Sequence, residues 1–359
     1  MFNPERLALA RRRRGMTKKA LADAAEMSVK SISDYENDHA VPSEAAVAAI
    51  GQALRFPVEF FEGPDLESPT ADNASFRAMS AMTASQREAA LGAGTLAMVL
   101  CDWIQARFDL PKVDVPTYRE IDPEAAAASV RSEWKIGVAP IRNMIHLLEV
   151  KGVRVFSLAE QCREVDAFSL WWRGQVPVVF LNTMKTAEHS RFDAAHELGH
   201  LVLHKRGTHG GREGELEADA FASAFLMPRE SVLASAPKFA SLDAIVRLKK
   251  TWSVSVAALN RRLHDVGAVS DWHYRSLCIQ IAKLGYRKSE PQGIEPERSQ
   301  VLEKVLQALR EEEIGTAEIA RELKLSRHDV DELLFGLATV RVEGGGQKTP
   351  RSRDHLRLV

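Results

Sequence analysis

Two histidines, His196 and His200, place the strongest constraint on what this chain can fold into. They lie four residues apart in the segment Phe192-Asp-Ala-Ala-His-Glu-Leu-Gly-His200. On a helix, residues with this spacing project from one face, one turn above the other. Both imidazoles can then reach one Zn²⁺ at about 2.0–2.1 Å. The spacing therefore predicts a helix that carries two metal ligands.

Glu197 directly follows the first histidine, so it would lie beside the metal without binding it. From there it could accept a proton from a water molecule that the metal activates. This H-E-x-x-H arrangement is typical of zinc peptidases. The alternative is an exposed helix with two unrelated histidines.

A catalytic zinc needs a third protein ligand and keeps one open position. One zincin class has another histidine six residues after the second, but Arg206 stands there, which excludes that class. His204 continues the row of histidines, yet it is roughly 12 Å from His196 along a helix, too far to share one ion. We interpret His204 as a surface histidine.

Acidic residues on a second predicted helix supply the better candidates. Ala218 and Ala222 recur at helical spacing in this segment, so it can pack closely on the first helix. Glu215 and Asp219 are four apart, which lets Glu215 bind the ion while Asp219 orients a ligand histidine. Glu217, the competing ligand, points about 160° away from Glu215 on the helical wheel. Alternatively, all three acids are solvated carboxylates of a first helical turn.

These segments resemble the ImmA/IrrE family of bacterial metallopeptidases over roughly residues 140–265. The resemblance rests on His196-Glu-Leu-Gly-His200 and on Glu215-Leu-Glu-Ala-Asp-Ala-Phe-Ala, ending in Leu226-Met-Pro228. It implies a zincin-like helix pair beside a small sheet, Zn²⁺ as the cofactor, and cleavage of a transcriptional repressor in a stress response or in mobile-element induction. It also implies that His196, His200 and Glu215 are the ligands and Glu197 the general base.

The N-terminal region has the spacing of a helix-turn-helix domain. Helices are predicted at residues 3–14, 18–26, 29–36 and 43–54, with a tight turn between the second and third. Thr17-Lys-Lys-Ala-Leu-Ala, Ser28-Val-Lys-Ser-Ile-Ser-Asp-Tyr-Glu36 and Pro42-Ser43 resemble the Cro/repressor (XRE) family. The resemblance implies binding to double-stranded DNA, with the third helix in the major groove.

Residues 1–19 carry seven basic side chains and one acidic side chain, which favours contact with phosphates. Lys18 stands where the family usually has glutamine. The alternative for this region is a helical protein-interaction module with a solvated basic face. The predicted DNA-contacting residues are Arg12, Arg13, Lys18, Ser28, Lys30, Ser33 and Asp34.

Three strands are predicted before the histidine helix, at 153–156, 166–172 and 176–181. Pro177 indicates an edge strand, where an extended substrate could add by backbone pairing. Trp171 and Trp172 could line that groove or belong to the core. A peptidase also needs a donor for the transition-state oxyanion. The candidates for that donor are His189, His204, His209 and Arg163.

The composition fits an intracellular protein of several domains. The chain has 359 residues, 45% apolar and 27% charged, with a net charge of −1. Cys101, Cys162 and Cys278 are odd in number and widely spaced, which favours a reduced cytoplasmic compartment. Neither a signal peptide nor a membrane-spanning run is evident.

We predict a mainly α chain with a small β-sheet (α+β), in which a helix-turn-helix bundle precedes a zincin-like domain and a C-terminal helical domain. Residues 299–338 suggest a further small helical domain, in which Thr316–Leu334 has the helix-turn-helix rhythm, but its many acids favour a packing or protein-binding role. The predicted regions are a DNA-binding domain (1–62), a linker (63–75), a helical connector (76–122), a metallopeptidase domain (123–267), a C-terminal helical domain (268–340) and a flexible tail (341–359).

The predicted function is that of a cytoplasmic, nucleoid-associated bacterial transcription regulator whose zinc endopeptidase domain cleaves a helix-turn-helix repressor. Its partners would be operator DNA, the protein substrate and a second copy in a homodimer, with no membrane. The alternative is a regulator whose zinc domain senses a ligand or metal and does not cleave. A purely structural zinc module would need a fourth ligand, and the sequence offers none nearby.

Overall fold

The computed structural model describes residues 1–69, 83–158, 167–205 and 211–338, together with the backbone of the short strand Leu356–Arg357. Helices make up most of this part of the chain, and a three-stranded sheet lies among them. The prediction of a mainly α chain with a small β-sheet is confirmed.

The N-terminal region folds into four short helices that begin at side-chain caps. Asn3, Thr17, Ser28 and Ser43 each accept a hydrogen bond from a backbone N–H in the following turn. Such a cap satisfies an amide without a partner inside the helix and stabilises it by about 1 kcal/mol. The helices are α1 Pro4–Arg13, α2 Lys18–Ala24, α3 Val29–Glu36 and α4 Glu44–Leu54, closed by a 3₁₀ turn at Val58–Glu62.

A long helix, α5 at Ala84–Gln105, follows this bundle and packs against α1. The remaining helices of the described part follow it in chain order. They are α6 Pro123–Glu133, α7 Met144–Val150, α8 Ala187–Leu203, α9 Arg212–Leu226, α10 Arg229–Ser235, α11 Leu242–Leu248, α12 Val256–Asp265, α13 Asp271–Lys283, α14 Gln300–Glu311, α15 Thr316–Leu323 and α16 Arg327–Leu334, with a 3₁₀ turn at Lys249–Thr251.

The three-stranded sheet supports the histidine helix α8. Its order is β2-β4-β3, with β3 antiparallel and β2 parallel to the central strand β4. A separate pair of two-residue strands, β1 and β5, runs in parallel. The strands are β1 Phe108–Asp109, β2 Arg154–Ser157, β3 Ala167–Trp172, β4 Val176–Leu181 and β5 Leu356–Arg357.

The prediction that Pro177 marks an edge strand is wrong, because β4 is the central strand. The ladder between β2 and β4 begins at Val178, so Pro177 lies beyond it and is paired on one side alone, with Trp171. Proline has no N–H to donate, and among the described residues this end of β4 has no second strand that requires one. The edge strand that packs against α8 is β3.

Helices α8 and α9 cross at close range because Gly199 has no side chain. A Cβ atom there would lie 3.2 Å from both Ala218 Cα and Phe221 Cδ1. This spacing is tighter than ordinary van der Waals contact, so a larger residue would push the helices apart. The crossing brings the histidine-bearing face of α8 against α9.

The last helix, α16, packs against the N-terminal bundle through buried charges. The Arg13 guanidinium lies 2.5 Å from a Glu332 oxygen and 3.2 Å from Asp329 Oδ1, and only 1% of the Arg13 side chain is exposed. Arg14 makes two hydrogen bonds of 2.7 Å with the carboxylate of Asp329. The prediction that Arg13 contacts DNA is therefore wrong, because its charge is neutralised inside the protein. This contact fits the packing role expected for the acidic C-terminal helices.

Two further contacts attach the C-terminal helices to the middle of the chain. The buried carboxylate of Glu149 accepts hydrogen bonds from the backbone N–H groups of Gln300 and Val301 at the start of α14. Burial raises the pKa of Glu149 to about 7, although these hydrogen bonds oppose the rise. On α5, Trp103 Nε1 donates to Glu322 of α15. The C-terminal helices thus contact both preceding regions.

Several sequence predictions concern residues outside the described ranges. They involve Cys162, Arg163, His209, the turn at 206–210, parts of the linker and of the helical connector, and the tail apart from the backbone of β5. The domain boundaries stay predictions. Within the described part, no helix is both long enough and apolar enough to span a membrane.

We expect Asp329→Asn to lower the free energy of unfolding by about 3–5 kcal/mol at pH 7, because it leaves Arg13 and Arg14 without a buried counter-charge. Burial alone would raise the pKa of Asp329, but the hydrogen bond and charge of Arg14, together with Arg13, outweigh it and lower that pKa. A lowered pKa means that the stabilisation is complete above the unfolded value of about 3.9 and is lost as the pH falls through the folded value.

Chemical denaturation of wild type and variant at pH 7 and below pH 4 measures this effect. Asp331→Asn on the same helix is the control, because Asp331 forms a more exposed pair with Arg327 that contributes at most about 1 kcal/mol. Equal losses for both variants at pH 7 would contradict the buried-pair account.

Candidate metal centre and helix-turn-helix surface

Three side chains from the crossing of α8 and α9 converge on one point. His196 Nε2 and His200 Nε2 are 3.0 Å apart. Glu215 Oε2 lies 3.3 Å from His196 Nε2, and Glu215 Oε1 lies 3.4 Å from His200 Nε2. In the described part of the chain, these residues form the one group of histidines, cysteines and acids with the geometry to hold a metal ion.

The distances between these atoms fit a tetrahedral zinc site. Ligands about 2.0–2.1 Å from a tetrahedral ion are separated from one another by roughly 3.3 Å. The two imidazole nitrogens are 3.0 Å apart, and each lies 3.3 or 3.4 Å from a different oxygen of Glu215, which is close to that edge length. One ligand atom from each of the three residues lies within 4.8 Å of the others. Two imidazoles and a carboxylate are also a donor set that zinc favours, and three protein ligands leave a fourth position open.

Asp219 contacts the His196 ring on the side opposite the candidate metal position. Its Oδ1 lies 2.8 Å from His196 Nδ1, the ring nitrogen that faces away from Glu215. Burial disfavours a charged imidazole, but the hydrogen bonds to Asp219 and Glu215 outweigh it and raise the pKa of His196 to about 10. Burial likewise opposes ionisation of Glu215, yet its contacts with both histidines lower its pKa. The site therefore attracts positive charge.

Glu197 lies beside this group but points toward the sheet. Its carboxylate is buried, and its Oε2 accepts a 2.6 Å hydrogen bond from Ser169 Oγ of β3. A carboxylate fixed in this way next to two histidines has the position expected of a general base. Sequence reasoning missed Ser169, although it is the one hydroxyl residue in the apolar strand Ala167–Trp172.

His204 is not the surface histidine that the sequence suggested. Its side chain is 8% exposed and lies between the two helices. Its Nδ1 is 2.9 Å from His200 Nδ1, and its Nε2 is 2.8 Å from a Glu217 oxygen. Glu217, the competing ligand candidate, therefore contacts His204 and not the ligand group. The spacing of four residues from His200 to His204 was the feature of the sequence that could have indicated contact between these two rings.

A groove lies next to the three ligands, between α8, α9 and α12. It has a volume of about 550 Å³ and shares Asp219 with the metal site. Among the candidate oxyanion donors, His189 lines this groove, whereas His204 forms a hydrogen bond with His200 and is not among the groove residues. Its small and apolar lining residues are Phe192, Leu216, Ala220, Ser223, Ala257 and Ala258.

Both tryptophans of β3 belong to the core and not to an open groove. Trp171 and Trp172 are each 7% exposed. Trp171 Nε1 donates to the carbonyl oxygen of Leu201 on α8, which attaches the edge strand to the histidine helix. This contact and the bond from Ser169 to Glu197 fix β3 along α8.

The helix-turn-helix surface presents fewer charges than the sequence suggested. Lys30 and Ser28 are exposed at the start of α3, where Ser28 also caps the helix. Ser33 and Asp34 are half-buried on the same helix. Lys18 Nζ lies 3.3 Å from Ser33 Oγ, so α2 and α3 meet there.

Among the N-terminal arginines, Arg12 keeps the most outward position. Its side chain is 39% exposed and lies 3.7 Å from Glu5. Arg11 instead forms two hydrogen bonds with Glu36 of α3, at 2.6 and 3.1 Å. Most of the predicted basic face is therefore neutralised within the protein.

Family models match two parts of the chain. The model of the IrrE N-terminal-like domain, a peptidase family, matches residues 148–264, and a helix-turn-helix domain model matches residues 5–60. Each match covers less than half of the chain. The resemblance to the ImmA/IrrE architecture with an N-terminal helix-turn-helix domain is confirmed. The IrrE-like domain contains the complete ligand group. No curated protein matches the chain.

We expect one divalent cation to bind per chain and to stabilise the IrrE-like domain. Saturation at 100 times the dissociation constant would add about 2.7 kcal/mol to the free energy of unfolding. Thermal unfolding with and without Zn²⁺ measures this, and Glu215→Gln should abolish the increase. Glu213→Gln, an exposed acid on the first turn of the same helix, is the control. Equal stabilisation of both variants would contradict the assigned ligand group.

Proposed function

We propose that the chain is a DNA-binding transcription regulator whose IrrE-like domain is a zinc endopeptidase. The observation that carries the proposal is the convergence of His196, His200 and Glu215, whose imidazole nitrogens and carboxylate oxygens lie 3.0–3.4 Å from one another and could hold one metal ion. Glu197 lies next to it as the base. The family match supports a peptidase-like domain, and the catalytic activity is our inference.

Zn²⁺ bound by these residues would polarise the scissile carbonyl and increase the acidity of the attacking water. Glu197 would accept the proton of that water and return it to the leaving amine. Ser169 contributes by holding one Glu197 oxygen at 2.6 Å, which leaves the other oxygen for proton transfer. Asp219 holds the His196 ring in a fixed orientation through Nδ1.

A protein substrate is supported by two surfaces near the ligands. The groove between α8, α9 and α12 can accommodate side chains of a peptide. In the described part of the chain, β3 pairs with β4 on one side, so an extended segment could add at its other edge. From the resemblance, we propose a helix-turn-helix repressor as the substrate, cleaved in a stress response or in mobile-element induction.

The N-terminal domain would direct this activity to operator DNA. The exposed start of α3, with Ser28 and Lys30, can enter the major groove, while Arg12 and Lys18 can approach phosphates. We further propose a homodimer on a two-fold operator and a cytoplasmic, nucleoid-associated location. Free Cys101 and Cys278 fit a reducing compartment.

A regulator that senses a ligand or metal without cleaving is the second candidate, and the buried contact between Arg13 and the C-terminal helices favours it. Those helices also contact Glu149 and α5, so they connect the DNA-binding bundle to the region around the metal site. Such a connection could transmit occupancy of the site to the DNA-binding surface.

Glu197→Gln separates the two candidates. We expect it to lower peptidase activity by about 10²–10⁴-fold while Zn²⁺ and DNA binding persist, because the amide cannot accept the proton. The purified protein with Zn²⁺ is incubated with extracted cellular proteins, and new N-termini are identified by mass spectrometry. Glu213→Gln should behave as wild type. If wild type and Glu197→Gln produce the same termini while regulation of DNA binding is intact, the sensing function is favoured.

Lys30→Ala tests the DNA-binding surface. We expect weaker binding and, if Lys30 contacts phosphate, a salt dependence of the binding constant reduced by about one unit. Fluorescence anisotropy over a range of salt concentrations measures both. Lys238→Ala, a lysine between α10 and α11, is the control. An unchanged salt slope and affinity for Lys30→Ala would contradict the proposed surface.

A further inference from the structure

We propose that His204 and Glu217 form a positioning relay that fixes the tautomer and ring orientation of His200 for metal binding. Neither residue touches the ligand point, and no step of the chemistry above uses them. The proposal rests on metal binding at the proposed site and does not depend on proteolysis.

The hydrogen-bond distances assign one consistent pattern of protons. A histidine that binds a metal through Nε2 must leave that nitrogen unprotonated, so its proton is on Nδ1. His200 Nδ1–H then donates to His204 Nδ1 across 2.9 Å. His204 must accept there, so its own proton is on Nε2, where it donates to Glu217 across 2.8 Å. Each of these three groups has the partner that its proton requires.

The backbone aligns the relay with His200. His204 directly follows α8 as its C-cap, and its N–H donates to the carbonyl oxygen of His200 across 2.9 Å. Its conformation, with φ −119° and ψ 21°, departs from the helix and lets the ring lie against that of His200. The two ring centroids are 5.1 Å apart. His204 is therefore attached to His200 through both its backbone and its side chain.

A histidine at this position suits the charge of the site better than a carboxylate would. Glu215, Asp219 and Glu197 already surround the ligand point. The side chains of His200 and His204 are each 8% exposed, and a further buried negative charge would be costly. A neutral imidazole accepts the hydrogen bond from His200 and transfers the carboxylate contact to Glu217, whose side chain is 31% exposed.

The dissociation constant for Zn²⁺, measured on the full-length protein by competition with a chromogenic chelator, tests the relay. His204→Phe keeps the ring but removes the acceptor for His200, and we expect affinity to fall about 10–100-fold. His204→Asn loses the ring but places Oδ1 where Nδ1 was, so it should retain most of the affinity. A packing role predicts the reverse order.

Glu217 is tested with a matched pair of substitutions. Glu217→Gln keeps an acceptor for His204 but removes the charge, so we expect a smaller loss of Zn²⁺ affinity than for His204→Phe. Glu213→Gln removes a charge from the exposed first turn of the same helix and should change nothing. Melting temperatures of the metal-free variants separate metal affinity from folding.

A second measurement reads the tautomers directly. In ¹⁵N NMR spectra of the Zn²⁺-bound protein, His200 should be protonated at Nδ1 and His204 at Nε2. The opposite tautomer of His204, or equal Zn²⁺ affinity of wild type and His204→Phe, would overturn the relay while the proposed function stands. Absence of Zn²⁺ binding by the wild type would overturn the metal centre itself.

Discussion

At the crossing of α8 and α9 the two helices come so close that a Cβ atom on Gly199 would lie 3.2 Å from Ala218 Cα, and this close approach sets the separation of the ligand atoms. His196 and His200 come from one helix and Glu215 from the other, so a wider crossing would move the carboxylate away from both imidazoles. Close packing is costly to change because protein interiors contain little free volume. Gly199, which has no functional side chain, therefore determines whether the three candidate metal ligands come together.

Around that crossing, both candidate histidine ligands and Glu197 are oriented by hydrogen bonds to other side chains. Asp219 holds His196, the pair of His204 and Glu217 holds His200, and Ser169 holds Glu197. The supports come from α8, α9 and β3, so the site is fixed from three directions. Metal affinity commonly depends on such outer contacts as well as on the ligands themselves.

The sequence predicted best what depends on local periodicity. Helical spacing placed His196 beside His200 and Glu215 beside Asp219, because residues four apart share a face of a helix. That the two pairs meet was expected from the alanines of the second helix and from the resemblance to the ImmA/IrrE family. Arg13 could not be placed in this way, since its partners in α16 lie more than 300 residues along the chain. Local basic charge resembles a DNA-binding face until the acids that neutralise it are known.

The same limit explains the other errors. Pro177 was taken for an edge position, but strand order depends on which segments pair, and β2 pairs with β4 although β3 lies between them in the sequence. For His204, the predicted surface position was wrong because the contact that buries it comes from Glu217 on another helix. The contact of Arg13 and Arg14 with α16 also limits how such proteins can be recombined. The N-terminal helix-turn-helix domain cannot be exchanged for one with a different operator preference unless the new domain also has arginines that pair with Asp329 and Glu332. Substitutions at the two ends of the chain must therefore occur together during evolution.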